Sequence, residues 1–182
     1  MKKLVYIFLF ITAFCQGQII NSYAYATETL YEFDENNLIL FPEAITGNTP
    51  AITTVSATIT ENYATDPNGG NNAILFTAGN SSARIRQFTD YTTGVGKTFT
   101  IKWWVKNIDM QQISYYVDNT FNQNIIPVYN YTNDVNTETW TQLIIENVPG
   151  QDTSLRIYFG QIGGYEENSF LIWGFEVIET TP

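Results

Sequence analysis

The fold is decided by Lys97–Lys106, KTFTIKWWVK, near the middle of the chain. Its odd-numbered positions are the apolar Phe99, Ile101, Trp103 and Val105. Because successive side chains of a β-strand point to opposite faces of a sheet, this alternation predicts a strand with one buried face. Trp104 then falls on the exposed face, between Lys102 and Lys106.

The same alternation recurs on both sides of this stretch. Ser154–Phe159 places Arg156 and Tyr158 outward, and the closing strand places Glu176 outward. The inward set that the closing strand predicts is Leu171, Trp173, Phe175 and Val177. Gly-, Asn- and Pro-rich turns separate the remaining predicted strands, which are Asn37–Phe41, Ile52–Thr60, Ala73–Thr77, Arg84–Phe88, Ile113–Val117, Ile125–Tyr131 and Trp140–Val148.

Many short strands without helical spacing predict an all-β fold, a two-sheet antiparallel sandwich or jelly roll. Pro127 lies inside a strand pattern and cannot donate to a ladder, so we expect it at a sheet edge or a bulge.

The N-terminus has the pattern of a secretory signal. Lys2 and Lys3 precede an apolar run of 12 residues, Leu4–Cys15, which is shorter than the roughly 18–20 residues that span a bilayer. Cleavage after Gly17 removes two lysines and the only cysteine, so the formal charge falls from −10 to −12. We therefore predict a signal peptide at 1–17, a polar lead at 18–28 and one domain at 29–182, without stable membrane insertion after cleavage.

Composition excludes several functions. The chain has no His and one Cys, which rules out His-based triads, imidazole metal sites and multi-thiolate zinc sites. Its net charge of −10 argues against nucleic acid as a partner, because that affinity comes mainly from Lys and Arg contacts to phosphate. No sequence signature selects the carboxylate pair that a glycosidase needs, so we expect no enzyme activity.

Four stretches follow one another in a familiar order: TENYATDPNGGNNAILF, ARIRQFTDYTTGVGKTFTIKWWVKN, TETWTQLIIENVPGQDTSLRIYFG and SFLIWGFEVIE. They resemble the carbohydrate-binding-module-like jelly-roll domains of secreted bacterial glycan-binding proteins, and also domains of phage tail-fibre and virion proteins. The resemblance covers about Leu30 to Glu179. It implies a galactose-binding-like sandwich whose partner is a polysaccharide or cell-surface glycan.

An outward tryptophan on a polar strand face needs a reason. The indole of Trp104 could stack on a sugar ring while Lys102 and Lys106 bond its hydroxyls. If the neighbouring apolar residues face the core, the outward aromatic residues also include Tyr116, Tyr129 and Tyr131. The alternative is that a loop or the N-terminal lead covers Trp104 as part of a satellite core.

Two arginines form a second candidate. Arg84 and Arg86 share one strand face, where they could bond sugar hydroxyls or a carboxylated sugar. The alternative is that they pair with some of the many acidic residues.

Acidic residues allow a structural Ca²⁺ site, although no clear motif defines one. Related sandwiches often hold Ca²⁺ near the last strand, where this chain has Glu176 and Glu179. The predicted ligands are Glu32 and Asp34, beside Glu35, with Glu176 across the sheet. Asp66 with Asn68, Asn71 and Asn72 is a second candidate, but its Asp-Pro-Asn-Gly-Gly sequence is first of all a turn.

The sequence thus predicts an exported, lectin-like, non-catalytic module, secreted or on the cell surface, that binds glycans through an outward aromatic platform. The alternative is a structural or interaction module, such as a phage virion or receptor-binding adhesion domain, working as a homo-oligomer.

Overall fold

The computed structural model describes residues 38, 52–89, 92–160 and 168–180. The predicted signal, the polar lead and all of the predicted strand 37–41 except Leu38 lie outside this part. The described residues contain ten strands and one 3₁₀ turn, Thr132–Asp134. The strands are β1 (Ile52–Val55), β2 (Ala57–Ala64), β3 (Ala73–Ala78), β4 (Arg84–Phe88), β5 (Thr98–Asn107), β6 (Ser114–Asn119), β7 (Asn124–Asn130), β8 (Thr141–Pro149), β9 (Leu155–Gly160) and β10 (Ser169–Glu179).

The strands form two antiparallel five-stranded sheets. The first sheet has the order β1-β4-β9-β6-β7, and the second has the order β2-β3-β10-β5-β8. Consecutive strands often lie in different sheets, so the chain crosses repeatedly between the two layers. The architecture is the predicted all-β sandwich.

The core lies between the inner faces of the two sheets. In β5 the apolar positions are buried and the polar positions are half-buried, as the alternation predicts. Trp103 is fully buried, with its ring centre 5.5 Å from that of Phe175 and 6.3 Å from that of Phe159. The chain has one Cys, so no internal disulfide can stabilise the sandwich. Large aromatic side chains instead supply much of the apolar burial that does so.

One predicted strand is two. Ile52–Thr60 divides at Ser56, whose φ of 49° lies in the left-handed region, so β1 joins the first sheet and β2 the second. The Ser56 carbonyl accepts a hydrogen bond from the Gly79 amide at 2.8 Å. A Cβ on Gly79 would approach that oxygen to 2.9 Å, which explains the glycine at this close approach.

Pro127 lies on β7, an edge strand of the first sheet, as the sequence predicts. The pairing steps from Tyr115 opposite Tyr129 to Val117 opposite Ile126, so three steps on β7 match two on β6. This bulge surrounds Pro127 and disrupts the ladder where no amide is available.

Side chains also fix one end of the sandwich. The carboxylate of Asp66 accepts backbone hydrogen bonds from Asn68, Gly70 and Asn72 at 2.8–3.1 Å. The indole nitrogen of Trp140, immediately before β8, donates to the Thr65 carbonyl at 3.3 Å. Asp66 therefore organises a turn, and Trp140 ties β8 to it.

Candidate functional site

The second sheet carries a face that we call the tryptophan face: the outward residues Lys102, Trp104 and Lys106 of β5 with their cross-strand neighbours. All three are half-buried, whereas the adjacent Trp103 is fully buried in the core. The period-2 prediction for β5 is therefore confirmed, including the outward position of Trp104.

Trp173 lies on the same face, where the sequence did not place it. The ladder pairs Trp173 directly with Trp104, and paired residues of antiparallel strands point to the same side of the sheet. The register then shifts between Trp173 and Glu176, around Gly174 with its φ of 65°. This bulge lets Phe175 join the core while Trp173, only 1% exposed, lies buried on the outer side of the sheet. The predicted inward face of Trp173 and Leu171 is therefore wrong, although both side chains are buried, as their assignment to the core predicts.

Polar groups border the tryptophan pair. Gln142 of β8 is the register partner of Trp104 on its other side. The next row pairs Lys102 with Glu176, and their Nζ and Oε2 atoms lie 3.8 Å apart. Ile144, half exposed, completes that row on β8. The result is an indole with amide and ammonium groups beside it.

The first sheet carries a second patch, which we call the arginine–tyrosine face. It consists of the outward residues Arg84, Arg86, Phe88, Arg156, Tyr158, Tyr116 and Asp118. The rings of Tyr116 and Tyr158 stack in parallel, 4.2 Å apart at 8°. The guanidinium carbon of Arg86 lies 5.1 Å from the centre of the Tyr158 ring, within cation–π range.

One buried ion pair organises this face. Arg156 Nε donates to Asp118 Oδ1 at 2.7 Å, and its Nη2 donates to the Asn119 carbonyl and to Asn122 Oδ1. Burial raises the pKa of the Asp118 carboxyl above its ordinary value of 3.8, although the hydrogen bond and charge of Arg156 act in the opposite direction. The pair therefore orients the hairpin between β6 and β7 at a cost in desolvation.

The structure divides the predicted ligand-binding residues between these two faces. Lys102, Trp104 and Lys106 lie together on the second sheet. Arg84, Arg86 and Tyr116 lie on the first sheet, whose outer face points the other way. The two groups cannot touch the same small ligand, so Trp104 and Tyr116 do not share one aromatic platform, and the arginines are a separate candidate, as predicted.

Two predicted outward tyrosines are placed differently. Tyr131 is fully buried, 5.5 Å from Tyr115 between ring centres, and burial raises the pKa of its hydroxyl. Tyr129 is half exposed but pairs with the inward Tyr115, on the opposite side of the sheet from Tyr116. The cause is the bulge at Pro127, which separates the faces of Ile126 and Val128.

The calcium prediction remains a prediction. Glu32 and Asp34 lie outside the described residues, and Glu176 lies beside Lys102. Within the described ranges no three Asp, Glu, His or Cys residues are grouped to hold a metal. The Asp66 carboxylate is occupied by backbone amides, as a turn requires.

Two residues of the tryptophan face were not predicted from the sequence. Trp173 was hidden by the bulge, and Gly174 beside it was the available signal. Gln142 carries no signal of its own, since its place beside Trp104 depends on the β5–β8 register.

Among solved structures, the chain is similar to the CBM22-1 xylan-binding domain of Paenibacillus barcinonensis Xyn10C, at 14% identity over 84% of this chain and 99% of that one, with a TM-score of 0.56. It is also similar to TmCBM61 in complex with β-1,4-galactotriose, at 15% identity over 79% and 98%, with a TM-score of 0.52.

The chain has the jelly-roll fold of carbohydrate-binding modules. The enzymatically active domain of tailspike protein 4 from bacteriophage CBA120 shares it, at 15% identity over 79% of this chain, with a TM-score of 0.56. This match spans only 21% of the tailspike chain. No protein-family model and no curated protein matches the sequence. None of the described residues forms a helix long and apolar enough to cross a bilayer.

Proposed function

We propose that this protein is an exported, non-catalytic module that binds glycans on the tryptophan face. The observation that carries the proposal is the outward position of Trp104, paired in register with Trp173 and bordered by Lys102 and Lys106. The solved carbohydrate-binding modules with this fold support the same class of ligand.

The chemistry of the face suits a neutral sugar chain. An indole offers a flat apolar surface to the C–H groups of a pyranose ring, and Lys102, Lys106 and Gln142 offer hydrogen bonds to hydroxyls. Sites on an open sheet face bury few contacts, so we expect a Kd of about 10 μM to 1 mM, equivalent to about −7 to −4 kcal/mol.

Match lengths support a binding role without catalysis. The chain covers 98–100% of three solved carbohydrate-binding modules. It covers only 21–26% of the tailspike, the arabinofuranosidase and the exo-β-agarase chains that it also matches. The shared fold thus accounts for whole binding modules and for only a minor part of those larger chains. Export is proposed from Lys2, Lys3 and the apolar run Leu4–Cys15.

The test is affinity electrophoresis of the full chain in gels containing β-1,4-galactan or xylan. We expect the wild type to be retarded and Trp104→Ala to lose at least about tenfold in affinity, because the stacking surface is removed. Phe121→Ala is the matched control, since it removes an exposed aromatic ring from the turn between β6 and β7.

Equal retardation of wild type and Trp104→Ala would exclude the tryptophan face as the site. If neither polysaccharide nor a wider glycan array retains the wild type, the glycan-binding proposal itself fails.

The tailspike likeness favours a second candidate, a structural or receptor-binding module of a phage or an adhesin. Such modules work as oligomers, so light scattering separates the two proposals. A stable trimer without glycan retention would support this candidate, and a glycan-binding monomer would exclude it.

A further inference from the structure

All three arginines of the chain converge on the arginine–tyrosine face. The guanidinium carbons of Arg84, Arg86 and Arg156 lie 5.6, 5.1 and 6.0 Å from the centre of the Tyr158 ring. The chain has 18 acidic residues and only 8 basic ones. Concentrating every guanidinium around one ring creates a local positive surface on an acidic protein.

Within the described ranges, only one of these three arginines forms an ion pair with a carboxylate. Arg156 pairs with Asp118, whereas the other two described ion pairs involve Lys97 and Lys102. The Nε atoms of Arg84 and Arg86 are covered and lack a hydrogen-bond partner, so these side chains lie packed against the sheet. Arg84 Nη1 donates to the Ser82 carbonyl at 3.4 Å, so the other terminal amino groups of the two arginines are the donors left for an incoming anion.

An aromatic surface adjoins these donors. Tyr116 is half-buried and stacks on Tyr158, which places a flat ring two strands from Arg86 along the same row, with Tyr158 between them. A second ring, Phe88, lies 5.7 Å from the Arg86 guanidinium carbon. Rings of this kind accept the apolar side of a pyranose, while guanidinium groups bind carboxylates in a planar, two-pronged geometry.

We propose that the arginine–tyrosine face binds a saccharide that carries a carboxylate, with the sugar ring against Tyr116 and the carboxylate on Arg86 and Arg84. The inference shares its ligand class with the proposed function but concerns a separate face on the other sheet. The net charge of −10 disfavours densely charged polymers such as nucleic acids, whereas two guanidiniums suffice for an isolated carboxylate.

Isothermal titration calorimetry of the full chain with galacturonate tetrasaccharide tests this, with its methyl ester as the uncharged counterpart. We expect the acid to bind and the ester to bind at least about tenfold more weakly, because the charge-assisted hydrogen bonds are lost. Arg86→Gln should lower affinity for the acid by about tenfold or more, and Arg86→Lys by less, because it keeps the charge but not the planar fork.

Lys97→Gln is the matched control, because it removes one positive charge at an exposed position immediately before β5 of the second sheet. We expect it to change affinity less than about twofold. Equal binding of acid and ester, equal effects of Arg86→Gln and Lys97→Gln, or no binding of the acid by wild type would each overturn the inference.

Two further experiments distinguish this inference from general carboxylate binding and from the proposal for the tryptophan face. Poly-glutamate should not compete with the acidic tetrasaccharide, and full competition would point to any carboxylate rather than a sugar. Trp104→Ala should retain acid binding. If the wild type binds the acid but is not retained by galactan or xylan, only the proposal for the tryptophan face is overturned.

Discussion

The two outer faces of the sandwich hold their side chains in place by different means. On the arginine–tyrosine face, side chains fix one another through an ion pair, a stacked tyrosine pair and guanidinium–ring contacts. On the tryptophan face, backbone register places Trp104 between Trp173 and Gln142 beside a bulge at Gly174, and Lys102 and Glu176 form a looser ion pair at 3.8 Å. Substitutions that remove a side-chain contact should therefore disturb the arginine–tyrosine face. Substitutions that change the allowed backbone conformation, such as those at Gly174, should disturb the tryptophan face.

The largest expected effect is at Arg156. Arg156→Met removes the partner of a buried carboxylate and three hydrogen bonds of the hairpin between β6 and β7. We expect the free energy of unfolding to fall by about 3–5 kcal/mol, as for other broken buried pairs. Urea denaturation at pH 7 measures it, and Lys97→Met, which breaks an exposed pair, should cost less than about 1 kcal/mol. Similar losses in both variants would show that the pair is not effectively buried.

The cost of Arg156→Met should also depend on pH. The folded pKa of Asp118 is raised above 3.8, and without Arg156 it rises further because the group that lowers it is gone. A carboxyl with a raised folded pKa contributes stability that is present below the unfolded pKa and lost as pH rises through the folded pKa. The difference from wild type should therefore be smallest below pH 3.8 and grow above it. A difference that shrinks with rising pH would contradict this direction.

A smaller effect is expected at Gly174. Its φ of 65° lies in the left-handed region, where a side chain costs about 1–2 kcal/mol. Gly174→Ala should lower stability by that amount in thermal or urea unfolding. Gly→Ala at a position with negative φ stabilises or is neutral, so an unchanged stability would show that the bulge relaxes and that the position of Trp173 is not fixed by it.

The smallest effect is the coupling within the tyrosine stack. A double-mutant cycle with Tyr116→Leu and Tyr158→Leu should give an interaction energy of about 0.5–1.5 kcal/mol for the stacked rings. Urea denaturation of the four proteins supplies it. Strictly additive losses would mean that the face is a set of independent contacts.

Strands could be predicted from the sequence because one face of each is buried. β4 matches its prediction residue for residue, and β5 to within one residue at each end. The division at Ser56 was missed because a single left-handed residue leaves the apolar alternation on both sides intact.

Site residues were predicted where a strand runs without interruption. Trp104, Arg84, Arg86 and Tyr116 all take their predicted outward positions. Tyr129 and Tyr131, predicted outward, and Trp173, predicted inward, take the opposite positions, because a bulge in the strand breaks the alternation from which each was predicted. Which outward residues share a face depends on strand order, which alternation alone does not contain.

The division at Ser56 has a mechanical consequence. Edge strands β1 and β2 are joined by this single residue, so a one-residue link connects the two layers covalently along one side of the sandwich. The opposite edges, β7 and β8, are separated by the Tyr131–Trp140 connection. We expect any separation of the two layers to begin at the β7–β8 margin, where the core-facing ring of Tyr129 is already half exposed.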